Sequence, residues 1–267
     1  MHVAALLTCH NRREKTLSCL RSIAVQDLAP DITLQVTLVD DNSTDGTADA
    51  ISRIFPETQI IQGDGSLFWC GGMRVAWNTA AKRDPDYYLL LNDDTLLQED
   101  AVTSLLEICA RPDMRMIAVA AIADSTTGKT SYGCWNRQIG LVPPNGSVQT
   151  CDTFNANCVL VPRAVFLEMG GFHTAYTHAM GDFDYGYQAS KRGIRVILSG
   201  SHLGTCSRNS VLDTWMDRSL SRRARFAKLQ SKKGLPFKEW VIYNCRNTGW
   251  IWPYRCISPY LRILLGL

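Results

Sequence analysis

Three groups of acidic residues in this 267-residue chain have the types and spacing to do chemistry. The first is Asp40-Asp41-Asn42-Ser43-Thr44-Asp45-Gly46-Thr47, where two adjacent carboxylates close an apolar run. A carboxylate in that place can accept from a base N–H or a ribose hydroxyl. Turn formation and helix capping account for Ser43, Thr44 and Asp45. They account poorly for Asp40 and Asp41, because two neighbouring acids at a strand end repel each other. The second group, Asn92-Asp93-Asp94-Thr95, follows the apolar run Tyr87 to Leu91. Paired acids there suit a hard cation, Mg²⁺ or Mn²⁺, bound with phosphate and water oxygens. A solvated turn capping the next helix is the competing role. The third is Gly181-Asp182-Phe183-Asp184. An Asp at a helix start is favoured by the helix dipole; it can act as a general base on a hydroxyl, or simply as an N-cap. A further loop, Gly63 to Arg74, combines glycines with Trp69 and Arg74. Gly71 and Gly72 are expected to open a helix whose N-terminus faces phosphate. Arg74 would pair with phosphate or a sugar, and Trp69 would stack on a sugar ring. A tight turn with a buried Trp explains the same residues.

The segments between these groups alternate in character. Strands are expected at Val3 to Thr8, Leu34 to Val39, Gln59 to Ile61, Tyr87 to Leu91 and Met116 to Ile122. Helical periodicity covers Glu14 to Ala24, Thr47 to Phe55, Gly72 to Lys82 and Glu99 to Ala110. This predicts an α/β fold, a Rossmann-like, mostly parallel sheet flanked by helices. Ligands of such sheets bind beyond the carboxyl ends of the strands, where the first two acidic groups fall. Residues 126–150 read as loops or a hairpin. A strand at Cys158 to Val161, a helix at Asp182 to Arg192 and a strand at Arg195 to Leu198 follow. The expected division is one unit over 1–206, in two halves (1–123 and 124–206), then a basic, aromatic extension over 207–267.

The charge is uneven. Residues 207–267 carry 12 Lys+Arg and 3 Asp+Glu, which leaves 16 against 22 in the first 206 and returns the overall +3. A basic end on an acidic body points to an anionic partner. Trp250, Trp252, Tyr254 and Tyr260 lie in this extension, and such rings favour a bilayer interface. Peripheral membrane contact is therefore expected, with closure of some of these cations over phosphate as the alternative. No apolar stretch approaches the ~20 residues that cross a bilayer. The ten cysteines form no CxxC pair, which argues against a zinc cage. They fit a reduced, cytoplasmic setting.

Taken in order, Leu7-Thr8-Cys9-His10-Asn11-Arg12, Val39 to Thr47, Leu91 to Thr95 and Gly181 to Asp184 with Arg192-Gly193 resemble glycosyltransferase family 2 and its GT-A fold. Of its branches, the rhamnosyltransferase-like one looks most similar. The resemblance implies a catalytic unit over 1–206 with a nucleotide-binding half (1–123) and an acceptor-binding half (124–206), in which Thr8 and Asn11 lie near the nucleotide and Asp41 binds the base, with Asp40 as alternate. The Asn92-Asp93-Asp94 run matches the family's DxD element, so Asp94 would hold metal with Asp93 alongside against the donor. Asp182 matches the catalytic base. His202 would be a further metal ligand, as in some GT-A enzymes, or a surface histidine. Trp69 and Asp184 would serve the acceptor. Two departures stand out: Asn92 replaces the first Asp of the element, and Gly181 stands where the family usually has Glu, which leaves Asp182 or Asp184 for the base.

The implied reaction is an inverting transfer from a nucleotide-sugar donor to a saccharide or lipid-linked acceptor in cell-surface polysaccharide synthesis, at the inner face of the cell membrane. A nucleotidyltransferase would instead show a Gly-rich, Arg-containing loop after the first strand. A non-catalytic carbohydrate-binding protein would not need three acidic groups. Nucleic acid is not expected as a partner, because no reading motif is present.

Overall fold

The computed structural model describes residues 1–110 and 115–267. The first half runs β1 (His2–Cys9), α1 (Arg13–Ala24), β2 (Thr33–Asp40), α2 (Thr47–Ile54), β3 (Gln59–Gln62), α3 (Phe68–Ala81), β4 (Tyr87–Leu91), β5 (Leu96–Leu97), α4 (Ala101–Cys109) and β6 (Met116–Ala123). The second half continues with β7 (Thr130–Tyr132), β8 (Cys134–Asn136), β9 (Gly140–Leu141), β10 (Gln149–Cys151), β11 (Thr153–Phe154), β12 (Cys158–Pro162), α5 (Arg163–Met169), α6 (Gly181–Lys191) and β13 (Arg195–Thr205). Three helices close the chain: α7 (Arg222–Gln230), α8 (Phe237–Asn247) and α9 (Trp252–Leu264).

The main sheet has the order β10-β13-β6-β12-β4-β1-β2-β3. Strands β3, β2, β1, β4, β6 and β13 run one way, and β12 and β10 oppose them. Both faces are covered, so β1 is apolar without alternation. Its Val3, Ala5 and Leu7 pack with Leu17 and Leu20 of α1 and Ile51 of α2. Its Ala4 and Leu6 face the other way, with Met73 and Trp77 of α3. Trp77 is fully buried, with ring centroids of Tyr88, Phe166, Phe172 and Tyr185 all within 5.8 Å.

Three expectations are corrected. Helix α3 starts at Phe68 rather than Gly72, because its first N–H groups are already served. Asp41 accepts from Phe68 N at 2.9 Å, and the Thr177 carbonyl accepts from Cys70 and Gly71 at 3.1 and 3.3 Å. The segment 126–150 does contain a hairpin, β8–β9, but holds more than that: β7 pairs with β6, β10 pairs with β13, and β8 and β9 join β11 in a small second sheet, β11-β8-β9. Strand β13 runs on to Thr205, because its far end pairs with both β6 and β5.

Candidate functional site

The carboxyl ends of β1, β2 and β4 meet at a cavity of about 260 Å³ lined by Thr8, Cys9, His10, Arg12, Asp41, Gly65, Phe68, Trp69, Asp93, His178 and Lys233. Of the residues picked out in the sequence, Thr8, Asp41, Trp69 and Asp93 stand in this wall. Thr8 is nearly buried where α3 crosses β1. The approach is so close that a Cβ on Gly72 would lie 2.1 Å from Thr8 Oγ1, so only glycine fits there.

Asp41 shapes the loop beside it. Its buried carboxylate accepts from Gly65 N at 2.8 Å as well as from Phe68 N. Asp40 is fully buried and lies behind the cavity. One of its oxygens accepts from Ser43 N at 2.9 Å, and the other has no partner among the described residues. Asn11 also stands outside the wall, with a left-handed backbone (φ 51°). It accepts from Thr44 N at 2.7 Å and donates its own N–H to Ser43 Oγ at 2.9 Å, tying the β1 and β2 loops together.

The acidic turn after β4 is organised by a residue to which sequence reasoning gave no role. Arg12 donates through Nη1 to Asp93 at 2.7 Å and through Nη2 to Asp94. Burial pushes the Asp93 carboxyl up to about 6; Arg12 opposes that shift and Asp94 adds to it. One guanidinium thus bridges two adjacent carboxylates, offsetting one of their two charges, while Lys15 lies 4.0 Å from Asp94. Asp94 looks into a neighbouring crevice with Lys15, Thr205 and Cys206. Two carboxylates already converging on one positive charge are the donor set that Mg²⁺ or Mn²⁺ takes when phosphate and water complete its shell. The residues therefore fit such an ion, in competition with Arg12. Among the described residues no cluster of three or more His, Cys, Asp or Glu could hold a metal. His202 is not brought to this turn. Its Nε2 shares a hydrogen bond with Thr130 Oγ1 at 2.9 Å, on the β13 side of the sheet.

Asn92, the departure from the acidic element, has a structural use. Its Oδ1 accepts from Trp69 Nε1 at 2.8 Å, which sets the indole in the cavity wall and against Phe172. Arg74 instead serves the loop before α6, donating to the Tyr176 carbonyl at 2.6 Å.

Asp182 sits in the first turn of α6, half-buried. It accepts from Ala156 N at 3.1 Å and from Phe183 N at 2.8 Å, and loss of solvent pushes its carboxyl up to about 6. Gly181 is explained by contact, since a Cβ there would lie 2.6 Å from Cys70 Sγ. Asp184 is buried and is committed elsewhere. It accepts from Arg246 Nε at 2.9 Å and Asn247 Nδ2 at 2.7 Å, which fastens α8 to α6.

The basic extension reaches the cavity through one turn. Between α7 and α8, Lys232 lies over the Phe68 ring at 5.1 Å and Lys233 joins the lining. His178 beside it is pushed down to about 4 by burial, with Lys233 adding to the effect, so its ring is neutral near pH 7. In the sequence His178, just ahead of the third acidic group, reads as a structural histidine, and Lys233 reads as part of the basic extension. Lys233 is one cation among many in its segment, and only the fold aims it.

A sheet of this order, with carboxylates at its strand ends around a cavity, defines the GT-A architecture of nucleotide-sugar glycosyltransferases. The match over residues 2–203 is to glycosyltransferase-like family 2, and the chain belongs to that family. It is similar to the mannosyltransferase PcManGT from Pyrobaculum calidifontis, solved with GDP-Man and Mn²⁺, at 17% identity and a TM-score of 0.58, covering 99% of this chain and 74% of that one. TarS from S. aureus aligns at 13% identity and a TM-score of 0.60, over 97% of this chain and 44% of that one. GalNAc-T7, solved with UDP, GalNAc and Mn²⁺, aligns at 12% identity and a TM-score of 0.60, over 97% of this chain and 57% of that one. At these identities the likeness is one of fold. No curated protein matches in sequence.

Proposed function

We propose that the chain is an inverting glycosyltransferase that moves a sugar from a nucleoside-diphosphate-sugar to a hydroxyl of a saccharide or lipid-linked acceptor, in cell-surface polysaccharide synthesis. The observation that carries this reading is that Asp182 and Asn92, the residue that opens the acidic turn Asn92-Asp93-Asp94, bond to the adjacent residues Ala156 and Asn157. Thr8 and Asp41 face the nucleoside. Asp93 and Asp94 would hold Mg²⁺ or Mn²⁺, which when bound supplies positive charge against the diphosphate. Support for donor and metal comes from the neighbours of this fold solved with GDP-Man and Mn²⁺ or with UDP-GlcNAc.

Asp182 acts on the acceptor. Its carboxylate takes the hydroxyl proton as the acceptor oxygen bonds to the anomeric carbon, and the bond from that carbon to the diphosphate oxygen breaks. The nucleoside diphosphate leaves with the electron pair, and the anomeric centre inverts in one displacement. General-base assistance of this kind contributes typically about 10²–10⁴-fold. Lys233, in the cavity wall, meets the diphosphate. The rest of the basic extension meets the inner face of the cell membrane, where a lipid-linked acceptor would lie.

The test is a thermal-shift screen with UDP-, dTDP- and GDP-sugars, with and without Mn²⁺. A true donor raises Tm by mass action. If no nucleotide sugar moves Tm with or without Mn²⁺, the reading fails.

A further inference from the structure

Helix α9 is apolar on its exposed side as well as on its packed side. Cys256, Pro259 and Ile263 are buried where it packs on α7 and α8. A surface helix ordinarily turns polar residues to the opposite side. Here that side carries Tyr254, Ile257, Leu261 and Leu264, spaced three and four apart, with Trp250 one turn upstream. All are exposed, Trp250 by 85% and Tyr254 by 74%. Arg255 and Arg262, seven residues apart and exposed, line one flank of this stripe.

The orientation is fixed by specific contacts. Pro259 has no N–H, so the Arg255 carbonyl loses its partner within the helix. Trp240 Nε1 donates to that carbonyl at 3.1 Å, which pins α9 to α8 with the apolar stripe outward.

We propose that this outward face of α9 lies in the plane of an anionic lipid surface, with Trp250, Tyr254, Ile257, Leu261 and Leu264 entering the boundary between headgroups and acyl chains. The inference deepens the membrane contact proposed above and rests on it. Charge selects lipid over a second copy of the chain. Helix α9 carries Arg255 and Arg262 and no acidic residue, so two copies of this face repel each other, whereas anionic headgroups attract it. Trp and Tyr at one end of an amphipathic helix with arginines along its flank are the composition of an interfacial helix. Among the described residues no helix is long and apolar enough to cross a membrane, so α9 lies on the bilayer and does not span it.

The experiment is co-flotation with vesicles of phosphatidylcholine alone or mixed in equal parts with phosphatidylglycerol. It compares the wild-type chain with an Ile257→Glu, Leu261→Glu double variant and an Arg255→Gln, Arg262→Gln double variant. Both changes are on exposed residues, so circular dichroism and donor-induced thermal shift should match wild type. Wild type should float with the anionic vesicles only. The Glu variant should bind at least about tenfold more weakly, and the Gln variant should lose part of its salt-sensitive binding. Undiminished binding of the Glu variant overturns the α9 face while leaving a membrane contact elsewhere on the basic extension. No binding of wild type to anionic vesicles overturns both, and leaves the donor site to its own test. A wild-type dimer that becomes monomeric in the Glu variant, without vesicle binding, assigns the face to a second copy instead.

Discussion

Asp182 and Asn92 hold opposite ends of one two-residue segment: Ala156 N–H donates to the Asp182 carboxylate at 3.1 Å, and the Asn157 carbonyl accepts from Asn92 N–H at 3.1 Å. The proposed base and the acidic turn after β4 are thus set in register by backbone, although 90 positions separate them in the chain. Asn92 also receives the Trp69 indole. The base, the acidic pair and the cavity wall are therefore positioned by one small network.

For Asp182 the expected outcome of Asp182→Asn is a loss of transfer of at least about 10²-fold with donor affinity kept. Single-turnover rates and donor titrations separate the two. The pH dependence has a definite sign. A base works only as the carboxylate, and burial raises this group from its ordinary value to about 6. Transfer should fall as pH drops through about 6 and level off above it. A wild-type profile flat from pH 5 to 8 would place the base elsewhere.

Arg12 bridges Asp93 and Asp94. In Arg12→Ala two adjacent carboxylates lose their shared counter-ion. Arg12 is partly solvated, so the expected destabilisation is roughly 1–3 kcal/mol, below that of a fully buried pair. Asp93 already has a raised pKa, and without Arg12 it rises further. Its protonation relieves the repulsion, so the loss in Tm should be larger at pH 7.5 than at 5.5. Mn²⁺ should raise the Tm of Arg12→Ala more than that of wild type, because the ion no longer competes with the guanidinium. Equal Mn²⁺ shifts in both proteins would show that Arg12 and the ion do not share a place.

Much of this frame was legible before any coordinates. The runs Val3 to Thr8, Leu34 to Val39 and Tyr87 to Leu91 are apolar and closed by polar residues, the pattern of strands buried on both faces, and β1, β2 and β4 cover them. The convergence of Thr8, Asp41 and Asp93 follows from the parallel order of β1, β2 and β4. What stayed hidden depends on tertiary contact. The true start of α3 is set by Asp41 and by the Thr177 carbonyl, neither of which is local to the helix. Asp184 resembled a second active carboxylate, yet Arg246 and Asn247, about sixty residues onward, occupy it. The basic extension read as one charged surface, and only folding separates Lys233 at the cavity from Arg255 and Arg262 beside α9's outer face.

That separation makes Lys233 testable on its own. The turn that presents it is fixed: Gly234 N–H donates to the Ser231 carbonyl at 2.8 Å, and Leu235 N–H to the Leu229 carbonyl at 2.7 Å. Lys233→Ala should weaken donor binding about tenfold, the value of one charge-assisted contact to phosphate. It should also reduce the salt dependence of donor binding and leave vesicle flotation unchanged. If free nucleoside binds as much more weakly as the nucleotide sugar does, the lysine is supporting the cavity wall rather than meeting phosphate.

Gly181 and Cys70 offer a test of the packing that places Asp182. A Cβ at position 181 would sit 2.6 Å from Cys70 Sγ, inside any allowed contact. Gly181→Ala should therefore push the start of α6 away from α3 and cost about 1–3 kcal/mol as overpacking. Cys70 is fully buried, so Cys70→Ala alone opens a small void and destabilises modestly. The double variant lets the new methyl enter that space, so its loss should be less than the sum of the two single losses, as a denaturant-melt double-mutant cycle would report. Activity should follow the same pattern, because a displaced α6 carries Asp182 with it. Strict additivity of the two changes would mean that this contact does not hold the helix, and that Asp182 is positioned by its hydrogen bond to Ala156 alone.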